Sequence, residues 1–156
     1  MKKLLLLGLF AFTVSFAQAQ SPGDIRLSAG ADYAFDLETF GLNFGGEYLF
    51  TDKISTAPNF TIYFPDGYNS STLNVDFRYY FTEDILQWYG LLGFTNNWVT
   101  FDALGVKSTG SAAGANIGAG GVLKFTDNLA FNPELKYQAM DNGQFVLKFG
   151  VVYFLR

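Results

Sequence analysis

The chain has 156 residues with 10 basic and 14 acidic side chains, a net charge of −4, and neither cysteine nor histidine. An acidic balance argues against nucleic acid as a partner, and the missing residue types exclude a disulfide framework and imidazole-based acid–base or metal chemistry. Aromatic residues make up 19% of the chain and glycines number 17, a combination that β-strands absorb.

Met1-Lys2-Lys3 is a short cationic start, Leu4 to Phe16 is almost unbroken apolar sequence, and Ala17-Gln18-Ala19 is a small-x-small pattern. That succession predicts a secretory signal peptide over residues 1–19, leaving 20–156 as one domain. The apolar run is too short for a comfortable membrane anchor, and no stop-transfer charges follow it.

From there the chain alternates between period-2 segments and turns. Strands are predicted at 24–36, 39–50, 54–64, 72–81, 88–101, 111–125, 129–138 and 145–156. Three of the connections share an opening, Phe50-Thr51-Asp52, Phe81-Thr82-Glu83 and Phe125-Thr126-Asp127, which reads as one kind of tight turn. The four on the opposite side, near 37–39, 65–71, 102–111 and 139–144, are expected to be longer loops, with acids at Asp36, Glu38, Asp66, Asp102 and Asp141. Pro58 and Pro133 each fall eight positions after the Phe of a turn, inside a predicted strand. A proline there loses a ladder hydrogen bond, so a bulge or bend is expected at each.

The two faces of each segment differ in a consistent way. In the fourth, Leu73, Val75, Phe77, Tyr79 and Phe81 alternate with Thr72, Asn74, Asp76, Arg78 and Tyr80; in the last, Phe145, Leu147, Phe149, Val151, Tyr153 and Leu155 alternate with Val146, Lys148, Gly150, Val152, Phe154 and Arg156. Charges stay in one frame while the other is apolar, which suits a wall between lipid and a polar interior. A soluble ligand-binding barrel would have the inverse arrangement. The fold class is therefore all-β, an eight-stranded antiparallel up-and-down transmembrane β-barrel. An even strand number lets the first and last strands meet antiparallel and removes the sheet edge. Tyr48, Phe50, Tyr79, Phe81, Trp88, Phe125 and Tyr153 should form an aromatic girdle on the turn side, and Phe35, Phe40, Phe64, Trp98, Phe101 and Phe145 one on the loop side.

Eight strands enclose a space that side chains just fill. The inner frame supplies Arg26, Asp32, Glu47, Asp76, Arg78, Lys124, Glu134, Lys136 and Lys148, with Tyr63 and Tyr80, as candidates for an ion-paired lumen. A carboxylate pair or a Ser-Lys site is left open by composition, but mutual charge balance explains these residues better. Gly114-Ala-Asn-Ile-Gly118-Ala-Gly120-Gly121 lacks the spacing and helix of a nucleotide loop, and reads as smooth packing beside bulky lumen residues. No cofactor is expected.

The leader, the three Phe-Thr-acid turns, Asn132-Pro-Glu-Leu-Lys-Tyr137 and the ending at 148–156 together resemble the small bacterial outer-membrane β-barrel proteins, the OmpA/OmpX-like and porin-like family. The resemblance implies a place in the cell outer membrane, with lipid around the wall and the barrel-assembly machinery as a partner during biogenesis. Lys148, Gly150, Tyr153 and Leu155 match the polar-x-Gly-x-x-aromatic-x-hydrophobic signal that machinery reads, although the family often ends on Phe and this chain continues to Arg156. Expected function is a non-enzymatic barrel contributing to envelope integrity or surface interactions; the alternative is a narrow porin-like channel for small or apolar solutes.

Overall fold

A computed structural model describes residues 20–103, 106–140 and 142–155. The predicted leader, Asp141 and Arg156 lie outside the described residues, as does the side chain of Asp102. Eight strands follow in order: β1 Ile25–Ala34, β2 Thr39–Leu49, β3 Ile54–Tyr63, β4 Tyr68–Tyr80, β5 Leu86–Ala103, β6 Val106–Lys124, β7 Leu129–Ala139 and β8 Gln144–Leu155. Each pairs antiparallel with its chain neighbours, and β1 pairs with β8 to close the barrel.

The Phe-Thr-acid repeat has a physical cause at all three turns. The Thr51 hydroxyl accepts the backbone N–H groups of Lys53 and Ile54, Thr126 accepts that of Leu129, and Thr82 accepts that of Trp88. Each threonine thus satisfies amides that the turn takes out of the ladder. On the opposite side, Gly67 adopts a φ of 83°, which a side chain would oppose, and so lets β3 reverse tightly into β4.

Pairing runs further than the loop-like composition indicated. β4 begins at Tyr68, four residues before the predicted start, and β5 and β6 stay paired from Leu86↔Leu123 to Ala103↔Val106. The segment 102–111 is rich in small and polar residues, but the hairpin pairs Asp102 with Lys107, Phe101 with Ser108 and Thr100 with Thr109, and so overrides propensity. β7, in contrast, ends at Ala139 opposite Ala115. The outer part of β6 therefore projects beyond its β7 neighbour.

Neither proline produces a bulge. The β2–β3 ladder pairs Gly45↔Asn59 and Tyr48↔Thr56 in one register, and skips only the stretch where Gly46 and Glu47 face Pro58 and Ala57. The β6–β7 ladder does the same between Gly120↔Glu134 and Leu123↔Phe131, opposite Pro133. No residue is inserted; the missing proline N–H interrupts the ladder without shifting it. At Pro133 the side chain of Asn132 compensates, donating to the Gly121 carbonyl at 2.8 Å.

Alternation sets the two environments. Phe77, Leu92, Phe149, Val151 and Tyr153 are among the exposed apolar residues of the outer wall, and Phe131 stacks on Phe149 with ring centroids 6.2 Å apart. The girdle residues are exposed at both rims except Trp98, which is half-buried. The buried interior is largely polar. This inversion of the soluble pattern is what a lipid-facing barrel requires.

Candidate functional site

The lumen gathers most of the charged inner frame into one chain. Arg26 Nη1 lies 3.4 Å from Glu47 Oε2, Glu47 Oε2 lies 3.4 Å from Arg78 Nη1, and Arg78 Nη2 meets Glu134 Oε2 at 2.6 Å. Glu134 Oε1 is 3.6 Å from Lys136 Nζ, which in turn lies 3.2 Å from Asp76 Oδ2. These six residues come from β1, β2, β4 and β7, so their contacts cross the interior as well as following neighbouring strands. All six are buried.

Hydroxyls, amides and rings complete the shell. Glu47 Oε1 accepts from Ser55 Oγ at 2.5 Å and from Tyr80 Oη at 2.6 Å, and Glu134 Oε2 accepts from Tyr89 Oη at 2.6 Å. The guanidinium of Arg78 sits 4.4 Å from the Tyr89 ring centroid, and that of Arg26 sits 4.9 Å from Phe154. Asp76 accepts from Asn116 at 2.7 Å. Charge-assisted contacts of this kind are needed because an unpaired charge in such an interior is costly.

The other three sequence candidates stand apart from this chain. Asp32 is held by Thr61 Oγ1 at 2.7 Å and Asn43 Nδ2 at 3.0 Å. Lys124, nearer the turn side, places Nζ 5.3 Å from the Phe154 ring. Lys148 is buried opposite Asp32 and Glu134 in the β8 ladders, yet it belongs to none of the ion pairs among the described residues. Towards the loop side amides line the lumen: Gln144 donates to Gln138 at 2.7 Å, and Gln138 donates to Asn74 at 2.8 Å and Thr95 at 3.1 Å.

Sequence reasoning overlooked Tyr89, Thr61, Asn116 and Gln144 as lumen groups. Their signal was the strand phase: Tyr89 shares a frame with Gln87 and faces away from Trp88. The Gly114–Gly121 stretch makes room for such groups. A Cβ on Gly120 would lie 2.5 Å from the Tyr89 hydroxyl, and one on Gly118 would meet Lys136 at 2.7 Å. Among the described residues no cluster of carboxylates is arranged to hold a metal ion.

The residues matched to the assembly signal lie on the closing strand. Gly150 pairs with Gly30, Tyr153 with Leu27 and Leu155 with Ile25, while Lys148 pairs with Asp32. Tyr153 and Leu155 face outward, and Lys148 and Gly150 face inward. The seam is close at the glycine pair: a Cβ on Gly30 would stand 2.6 Å from the Gly150 Cα.

The fold is shared with solved outer-membrane barrels. The N-terminal β-barrel domain of Pseudomonas aeruginosa OprF matches with a TM-score of 0.73 at 23% identity, covering 88% of this chain and 100% of that one. Neisserial surface protein A matches with a TM-score of 0.68 at 17% identity over 85% and 97% of the two chains. OprG from P. aeruginosa gives a TM-score of 0.68 at 15% identity over 88% and 98%. No curated protein sequence matches the chain. The family model for the outer membrane protein beta-barrel domain matches residues 4–153, nearly the whole sequence, and the chain belongs to that family of outer-membrane barrels.

Proposed function

We propose that the protein is a non-enzymatic integral outer-membrane barrel, closed to solutes by its own side chains, that contributes to envelope integrity and surface interactions. The observation that carries this reading is Arg78, which spans the interior between Glu47 of β2 and Glu134 of β7. Six linked charges with buried Tyr80 and Tyr89 fill the narrow space of an eight-stranded barrel. The surface role draws on the projecting β5–β6 hairpin. In outer-membrane barrels the short turns face the periplasm and the longer connections face outward. Among the described residues, the part of β6 from Lys107 to Gly114 pairs with β5 alone, which leaves one edge open outside the membrane.

A narrow channel is the second reading, supported by a 250 Å³ cavity at the loop-side mouth lined by Asp36, Leu37, Asn97, Val99 and Met140. Planar-bilayer recordings of the folded protein separate the two. Little or no stable conductance is expected; a large, steady conductance overturns the closed barrel and favours the channel.

A further inference from the structure

We propose that the lumen contains a binding site for one small monovalent anion of the halide class, enclosed by Arg26, Arg78 and Lys148. These three cations border an internal cavity of about 10 Å³, with Ser28, Glu47 and Asn59 also in its wall. That space holds roughly one water-sized particle. A phosphate or carboxylate is too large for it.

The hydrogen-bond inventory around the cavity decides what the particle is. Arg26 Nε and Nη2 and Arg78 Nε are buried without a partner. Lys148, 1% exposed, belongs to none of the ion pairs among the described residues. The carboxylate and amide acceptors in the same wall are already in use, which leaves the Ser28 hydroxyl as its other side-chain acceptor. Glu47 takes contacts from Arg26, Arg78, Ser55 and Tyr80, and the Asn59 oxygen accepts from both Asn43 and Asn74. Among the side chains of the wall, donors thus exceed acceptors, and three positive charges stand against the one carboxylate of Glu47, the Glu134 carboxylate that also binds Arg78 lying outside the wall. A water has only two lone pairs and brings two further donors that would need acceptors. A halide accepts on every side, carries the opposite charge and brings no donor.

This site goes beyond the proposed function and does not depend on the conductance result. It is tested on the folded full barrel with bromide as the probe. Crystals grown in bromide are expected to give an anomalous peak between Arg26, Arg78 and Lys148, lost when chloride replaces bromide. In solution, the chloride-35 resonance should be broadened by the barrel, narrow again when bromide competes, and lose the excess broadening in Lys148→Met. Lys148→Gln serves as the second variant if Lys148→Met does not fold. A water or nothing at that position under saturating bromide, bromide at surface sites only, or unchanged broadening in a folded Lys148 variant would each overturn the proposal. The wild-type diffraction result stands without either variant.

Discussion

Arg78 and Glu134 are 56 residues apart in the chain and lie on strands that are not ladder neighbours, yet their side chains meet at 2.6 Å in the middle of the barrel. The contact is a strut across the lumen. Its value lies less in net stabilisation than in the penalty for losing one partner, since a buried pair roughly balances its desolvation while a stranded charge does not.

Glu134→Ala is therefore expected to destabilise the barrel by about 3–5 kcal/mol, because it leaves Arg78 and Lys136 without a shared carboxylate. Arg78→Ala removes the cation that Glu47 and Glu134 share, leaving them only the ion pairs with Arg26 at 3.4 Å and Lys136 at 3.6 Å, and should be similarly severe. The double variant should cost less than the sum of the two. Equilibrium unfolding in urea on lipid vesicles measures all three. Additive losses would show that the two side chains do not act as a pair.

The outer wall makes a separate prediction. Phe77 and Phe149 face outward, 56% and 46% exposed, so an arginine at either is moved into hydrocarbon. Phe77→Arg and Phe149→Arg should each cost about 2–4 kcal/mol near the bilayer midplane. Thr72→Val, which removes only a long 3.4 Å contact with Asn97 in the lumen, should cost less. Folding titrations in bilayers that found both arginine variants neutral would reverse the assignment of inside and outside.

The closing seam predicts a difference between two glycines. Gly30→Ala puts a methyl group against the backbone of Phe149 and Gly150, where only strand movement relieves it. A loss of about 1–3 kcal/mol is expected from such overpacking. At Gly46 the nearest atom to a new Cβ is the Arg26 carbonyl at 3.6 Å, an ordinary contact, so Gly46→Ala should be nearly neutral. Thermal unfolding monitored by gel mobility compares them directly, and equal stability of the two variants would remove the seam as a constraint.

What the sequence displayed and what it hid follow from the physics of a two-residue repeat. Alternation reports the face of a side chain without reference to anything distant, so Asp76 and Arg78 could be placed inside, and Val75 and Phe77 outside, from β4 alone. Which inner charges meet depends on eight registers and on side-chain reach. Nothing local to Lys148 reveals that it stays outside the chain of ion pairs while Lys136, its neighbour in the same frame, joins two of them. The hairpin extension was hidden for another reason. Ser108 and Gly110, beyond the predicted strand start at 111, have weak strand preference, and the ladder with β5, including Val99↔Gly110 and Phe101↔Ser108, sets their conformation. The prolines were legible as ladder breaks, but the absence of an inserted residue became visible only from the pairing on both sides.

The end of β8 is where closure and assembly coincide. Removing Tyr153 to Arg156 deletes the seam pairs Leu27↔Tyr153, Arg26↔Phe154 and Ile25↔Leu155, and with them half of the residues matched to the assembly signal. It also removes the Phe154 ring that lies 4.9 Å from the Arg26 guanidinium and 5.3 Å from Lys124 Nζ, exposing the turn-side end of the charged lumen. β1 would then present unpaired backbone groups at the membrane, which lipid cannot satisfy. Truncation is thus expected to abolish insertion and leave degradation products in the periplasm, read by membrane fractionation and heat-dependent gel mobility. A Phe154→Ala variant that retains the seam should insert but unfold more readily. Normal surface levels of the truncated chain would show that neither the last seam pairs nor the terminal pattern is needed for assembly.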